Sequence, residues 1–367
     1  MLARLREREP VSWLPALGGW LVLRRDLAMQ VMVDAQTFTV DDPRFSTGRV
    51  VGPSMLTLDG DEHQRHRAPF ARAFRLQPVR DRFSELVAAE VDRLIDAIEP
   101  AAQAELRRSF AGPLAAAVVT HSLGLRETDT AAVLGWYDAI VSAVTEVTAG
   151  GDIPVAGREA FADLSAAIAP VLDREPGSSL LAAAGGDAGG LGHTEVISNA
   201  AVMLFGGIET TEGMIANAIL HLLSNPDQLA LVRADPGRLP NAIEESLRLE
   251  PAAAMVDRYA TTDVTLGGAA IRRGELVRIS VTAANRDPAT FPDPDRFEVG
   301  RENAQQHLAF ARGPHVCIGM HLARLEAHTA VGRVLERLPG LRLDPSRPTA
   351  PSGLVFRKPP ELHVLWS

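Results

Sequence analysis

The sequence predicts a mainly helical α+β protein, and three observations carry the prediction. Between Glu62 and Leu249 apolar residues recur at helical spacing in alanine-rich segments. Beyond Pro251 the spacing shortens, and β-branched residues collect between Gly and Pro. With 46% hydrophobic and 23% charged residues over 367 positions, the composition is that of a globular chain with a large core.

Taken in order, residues 11–58 alternate short apolar runs (Gly18 to Leu23) with turn residues, which reads as hairpins around a first helix. The helical bulk follows, punctuated at Pro78, Pro100, Gly112, Gly150, Pro154, Pro170 and Gly177. The loosest stretch, Ala182 to His193, reads as a surface loop rather than a domain boundary. One long helix is expected from about Thr194 to Ser224; it is apolar nearly all round and therefore buried. Residues 264–271, 275–283 and 354–366 read as short strands and hairpins, and a last helix runs from about Ile318 to Leu338. No repeat or long linker divides the chain, so a single domain is expected over 1–367. Its parts are a β-rich one (about 1–58), a helical bulk (about 59–250) and a mixed one (about 251–367).

Composition also excludes. The single cysteine, Cys317, rules out an internal disulfide, a four-cysteine metal site and a CxxC redox pair. A net charge of −9 argues against a general nucleic-acid binder, which needs a basic face. The first residues, MLARLREREP, are charged where a signal peptide is apolar, and no apolar run nears the ~20 residues that span a bilayer. A cytoplasmic protein is expected. Lys358 is the only lysine among 37 Lys and Arg residues.

Cys317 stands just before the last expected helix, where unpaired N–H groups and the helix dipole favour thiolate over thiol. Gly313 and Gly319 would let the backbone pass close to a flat ligand or adopt positive φ. Taken alone, such a cysteine is most simply a buried thiol, or else a nucleophile or an iron ligand. At the centre of the long helix, Gly206 and Gly207 leave room for a cofactor or water beside the backbone. Beside them, Glu209 and Thr210 read in isolation as a core ion pair and a back-bonded threonine. Glu245 and Arg248 share one helix face at i, i+3, while His63 and Arg67, at i, i+4, could reach one anion.

Together these motifs resemble the bacterial cytochrome P450 family, over nearly the whole chain from about Trp13 to Trp366. Phe310, Gly313, Cys317 and Gly319 match its FxxGxxxCxG haem loop, with Cys317 as axial thiolate, and Gly206 to Thr211 match its acid–alcohol segment. The resemblance implies the cytochrome P450 fold, with haem b (iron protoporphyrin IX) between the long helix and the Cys-loop helix. It implies proton delivery by Glu209 and Thr210, and haem packing at Gly207, Phe310 and Gly319. Propionate contacts are implied at His63, Arg67, Arg258 and His315, and a fold-holding triad of Glu245, Arg248 and Arg296. The pocket-facing candidates by analogy are Ser54, Met55, Leu56, Val202, Phe205 and residues 253–256, including Ala253, Met255 and Val256.

The implied activity is monooxygenation: one oxygen atom from O2 enters an apolar small molecule of secondary metabolism, terpenoid-like or another natural product. The alternatives are a peroxide-using or non-monooxygenating variant and a non-catalytic haem-binding protein; both are disfavoured by an acid–alcohol pair they would not need. Six arginines between Arg65 and Arg82, among them Arg72, Arg75 and Arg80, face a single acid, Asp81. By the resemblance they would dock an acidic ferredoxin-type electron donor, failing which they form a solvated helix face. A monomer is expected. Three departures from the family stand out: a shorter amino terminus, a compact region between Trp136 and Pro170 where a substrate lid is expected, and Gly206 where alanine is commoner.

Overall fold

In the computed structural model, which describes residues 2–125, 128–173, 179–185 and 190–367, the chain starts with α1 (Leu2–Arg8), a helix the sequence did not lead us to expect. The hairpin β1 (Val11–Leu14) and β2 (Gly19–Val22) follows, then α2 (Arg25–Val33), β3 (Phe38–Thr39) and α3 (Ser46–Val51). The helical bulk comprises α4 (Gly60–Ala71), α5 (Leu76–Ile98), the short β4 (Gln103–Glu105), α6 (Gly112–Leu123), α7 (Thr130–Thr148), α8 (Val155–Leu172), α9 (Leu180–Gly185), α10 (His193–Ser224), α11 (Pro226–Ala234) and α12 (Leu239–Leu249). Then come β5 (Met255–Ala260), the hairpin β6 (Val264–Leu266) and β7 (Ala269–Ile271), β8 (Leu276–Ser280), α13 (Val281–Ala284), α14 (Met320–Arg337), β9 (Arg342–Leu343) and β10 (His363–Leu365).

The 32-residue α10 is the axis of the fold. Its apolar residues, among them Leu204, Ile208, Ile215 and Ile219, join one core with Leu114 and Val118 of α6, Ile243 of α12 and Val331 of α14. Each such side chain contributes about 1.5–3 kcal/mol of burial free energy, enough to hold a helix interrupted by Gly206 and Gly207. On α5, Val87, Val91 and Ile95 repeat every four residues and form a stripe packed on α14. The two helices that flank the cavity, α10 and α14, are thereby fixed from both sides.

A five-stranded sheet in the order β1-β2-β8-β5-β3 packs beside the helices, with β2 and β8 parallel and the other neighbours antiparallel. A smaller sheet orders β4-β10-β9.

The differences from the sequence reading are local. Residues 281–283 leave the strand for α13, because Ser280 Oγ accepts the Ala283 N–H at 3.2 Å and caps a helical turn. Of residues 354–366 only His363–Leu365 form a strand, since Pro359 and Pro360 cannot donate to a ladder. The compact region around Trp136 to Pro170 is the packed pair α7 and α8. Of the loop expected over 182–193, the first four residues belong to α9 and residues 186–189 lie outside the described residues, as does Gly177. Among the described residues no helix is long and apolar enough to cross a membrane.

Candidate active site

Two elements face one another across an internal cavity: the loop before α14 and the middle of α10. The loop turns through a 3₁₀ segment, Gly313–His315, and is closed by the Cys317 N–H donating to Phe310 O at 2.8 Å. Gly313 has φ +73°, and a Cβ there would lie 2.6 Å from Met32 O, so only glycine fits. Gly319 keeps a negative φ of −86°; its value is openness, for a Cβ there would meet nothing within 4 Å.

Phe310, His315, Cys317 and Gly319 all line the cavity. Burial pushes the Cys317 thiol up, while the Gly319 N–H and the Arg67 and Arg324 guanidiniums pull it down without prevailing. The sequence expectation that the helix terminus would favour thiolate is thus outweighed by desolvation in the polypeptide alone. A cationic partner at the sulfur is what the thiolate would require.

From α10, Gly206, Gly207, Thr210, Thr211 and Met214 line the opposite wall. A Cβ on Gly206 would meet nothing within 4 Å, whereas one on Gly207 would come within 3.1 Å of Val119 Cγ2. Thr210 Oγ1 donates to Gly206 O at 2.6 Å, the i−4 back-bond, and still faces the cavity. Glu209 does not. Its Oε1 lies 2.9 Å from Lys358 Nζ, and its other oxygen accepts the Tyr137 hydroxyl, behind the helix.

The rest of the lining is mainly apolar, with Arg67, Ser122 and Glu326 its polar members. Met55, Leu56, Val202, Phe205, Ala253 and Val256 take the expected places, joined by Phe74, Val119, Met203 and Leu247, which the sequence did not single out. Met255 is a correction: β5 alternates, so Val256 points into the cavity and Met255 packs with Leu21 and Leu23 on the other face. Ser54 and Ala254 are likewise outside the lining; Ser54 is buried against Thr57.

The four expected cations gather at one edge. The His63 and His315 rings lie 4.4 Å apart, and Arg67 Nη2 donates to Val316 O at 2.7 Å. Arg258, 5% exposed, donates to Asp257 O at 2.8 Å. Asp59, which the sequence did not reveal, sits among them 2.7 Å from His315 Nε2. Burial pushes its carboxyl up, but hydrogen bonds from His315, Thr39 and the Val40 N–H hold it below the usual range. His63 is pushed down to about 4 by burial and by the neighbouring His315 and Arg67, and its Nε2 has no hydrogen-bond partner. A buried ring nitrogen left without a partner beside two arginines fits an anion at this edge, which it would meet as the Nε2–H tautomer.

The fold-holding triad is Glu245, Arg248 and Arg301. Arg248 meets Glu245 through two hydrogen bonds of 2.7 and 2.9 Å, and Arg301 Nε lies 2.9 Å from Glu245 Oε1. Arg296 is a correction: its side chain is exposed and only its carbonyl joins, accepting from Arg248 and Arg301. Immediately before Glu245, Glu244 binds Arg324 of α14 at 2.7 Å and His307 at 3.1 Å, which holds its carboxyl at about 2 despite burial. Neither Arg301 nor Arg324 carries a periodic signal that separates it from other arginines.

A fold built around α10 and a cysteine loop, with an apolar cavity between them, defines a haem-thiolate class of protein. The comparisons agree. The cytochrome P450 family model matches residues 238–364. The chain is 36% identical to cytochrome P450 monooxygenase PikC of Streptomyces venezuelae, over 99% of this chain and 88% of that protein. It is 35% identical to mycinamicin IV hydroxylase/epoxidase of Micromonospora griseorubida, over 99% of this chain and 94% of that one. The crystal structure of CalO2 superposes with a TM-score of 0.90 at 30% identity, covering 100% of this chain and 95% of that one. The chain belongs to the bacterial cytochrome P450 family and is a cytochrome P450 monooxygenase.

Proposed function

We propose that this monooxygenase binds haem b through Cys317 and inserts one atom of O2 into an apolar small organic molecule, with electrons from a ferredoxin-type donor. The observation that carries the reading is one cavity shared by Cys317, Thr210 and a mainly apolar wall. When bound, haem with a thiolate ligand supplies the activation of dioxygen, in which two electrons and two protons leave one oxygen atom in product and one in water.

The residues fit the group. Cys317 is the sole cysteine, and with its sulfur on the iron no other thiol is left for a thioether link, which supports haem b held without a covalent bond to its ring. His63, Arg67, Arg258 and His315 would hold the two propionates, and the unpartnered Nε2 of His63 supports this. Gly207 and Phe310 would pack against the ring. Thr210 would hold a proton at its hydroxyl, facing the cavity, and Glu209 would supply protons from behind it. The apolar lining would exclude water and select by size. The mycinamicin IV hydroxylase/epoxidase is named for the natural product it oxidises, which supports a secondary metabolite as the substrate class here.

The electron donor would dock over the exposed Arg72, Arg75 and Arg80. Arg80 acts electrostatically on His321 in the first turn of α14, three residues beyond Ile318, which supports a docking surface near the cysteine loop. Arg65 is withdrawn from that surface, because Glu62 and Glu195 bind it at 2.7 and 2.5 Å. Turnover under labelled O2 with reduced ferredoxin, offered a panel of apolar natural products, tests the reading. One labelled oxygen atom per product is expected; product whose new oxygen carries no label and so comes from water, or no oxidation across the panel, contradicts it.

A further inference from the structure

Residues 52–58 form the loop that brings Met55 and Leu56 to the cavity, and a buried side chain of α10 that stays outside the lining holds it there. Asn199 is 0% exposed, and its Oδ1 accepts the Met55 N–H at 2.8 Å. Its Nδ2 donates to Glu195 O at 2.8 Å and to His66 Nδ1 of α4 at 2.9 Å. Turned over, the amide would set its NH2 against the Met55 N–H and its oxygen against Glu195 O. These partners therefore fix its orientation.

The loop is tied down on both sides of Met55. Ser54 N–H donates to Thr57 Oγ1 at 2.9 Å and Thr57 N–H to Ser54 O at 3.0 Å, closing the turn that carries Met55. Gly52 has φ +83°, and a Cβ there would lie 3.1 Å from Ser198 Oγ, so the loop runs against α10 from its start. Beyond the amide, His66 is 1% exposed, and burial pushes its pKa down, which keeps the ring neutral with Nδ1 able to accept. Its Nε2 lies 3.4 Å from Glu195 Oε1, a carboxylate that Arg65 of α4 also binds, at 2.5 Å. The first turns of α10 thus hold α4 on one side and the Met55 loop on the other, with Asn199 joining the two.

We propose that Asn199 is a positioning residue that determines specificity: by holding the Met55 amide against α10, it sets how large a molecule the cavity admits beside Cys317. This rests on the reading of that cavity as the substrate site. Asn199 acts through the loop rather than by touching a substrate. A small ligand fits beside Met55 and Leu56 as they stand. A bulky one must displace them and give up the bond to Asn199, at a cost of about three- to tenfold in affinity for one buried hydrogen bond.

Imidazole, phenylimidazole and clotrimazole, azoles of rising size that ligate haem iron through nitrogen, measure the admitted size by difference absorbance of the holoenzyme. In Asn199→Leu, clotrimazole is expected to gain about three- to tenfold on imidazole relative to the parent. Asn199→Asp still accepts from Met55, and the parent ratio should return. A second measurement needs no azole: amide exchange in the holoenzyme with isotopically labelled methionine. The Met55 amide should exchange about three- to tenfold faster in Asn199→Leu and near the parent rate in Asn199→Asp, with Met32, buried in α2, unchanged in both. An unchanged azole ratio in Asn199→Leu, an equal weakening of all three azoles, or Met55 exchange that rises only together with Met32 overturns the proposal. Should Asn199→Leu not fold, Asn199→Ala removes the same acceptor and takes its place. Azoles that leave the parent's iron unligated would count against the cavity reading itself, while Met55 exchange would still report whether Asn199 holds the loop.

Discussion

Arg301 Nε lies 2.9 Å from Glu245 Oε1, with both side chains buried and Arg248 closing the other side of the carboxylate. The pairing ties α12 to the loop that leads toward Cys317, since Arg301 also donates to the carbonyls of Pro292 and Arg296. Removing one member strands a buried charge. Arg301→Ala is expected to destabilise the fold by about 3–5 kcal/mol in urea unfolding. Arg296→Ala, which removes an exposed side chain and keeps the carbonyl, should stay within about 0.5 kcal/mol of the parent. The reverse order would restore Arg296 to the triad.

Thr210 is the one hydroxyl of the acid–alcohol pair that reaches the cavity. Thr210→Ala should keep the cysteine-ligand spectrum yet lower product formed per electron, with the missing electrons recovered as peroxide. A positioned proton donor contributes about 10²–10⁴ in rate, so tenfold or more is expected in peroxide-corrected coupling. Unchanged coupling would remove Thr210 from proton delivery.

His221, packed on Phe297 and hydrogen-bonded to Ser246, is pushed down to about 3 by burial, with Arg286 and Arg248 adding to the effect. Its folded pKa lies below its unfolded one, so the unfolded state binds the proton first. The stability it confers is complete above about pH 6.5 and is lost as pH falls. Near pH 5 the loss should reach about 2 kcal/mol, a window above the range where carboxylates such as Glu244 begin to protonate on unfolding. Urea midpoints at pH 7.5 and 5 test this; His221→Asn should shrink the difference by about that amount, leaving the share of His63 and the other buried histidines.

If Arg72, Arg75 and Arg80 steer an acidic donor, raising ionic strength should slow ferredoxin reduction severalfold while leaving substrate affinity nearly constant. Arg75→Glu should mimic high salt. Equal losses of reduction and substrate binding would move the docking surface elsewhere.

Much of the site was legible because haem-binding motifs are local in sequence. The cysteine loop, the set Gly206, Gly207 and Thr210, and the His63 and Arg67 pair each lie within one turn or loop, so the family resemblance could be matched to them residue by residue. What stayed hidden depends on distant partners. Lys358 reaches Glu209 across the chain, Asp59 meets His315 from the far side of the sequence, and Arg301 replaces Arg296 through a loop without periodicity. The thiol's upward shift was missed for another reason: helix-terminus stabilisation is visible in sequence, whereas the desolvation that outweighs it requires the closed cavity.

The central claim is that Cys317 ligates haem iron as a thiolate. The absorbance of the reduced, carbon-monoxide-bound holoenzyme tests it most directly. A Soret band at the long wavelength characteristic of thiolate ligation is expected, and because the chain has no other cysteine it should disappear in Cys317→Ala. A band at the short wavelength typical of histidine ligation in the intact protein, or a long-wavelength band that survives Cys317→Ala, would contradict it.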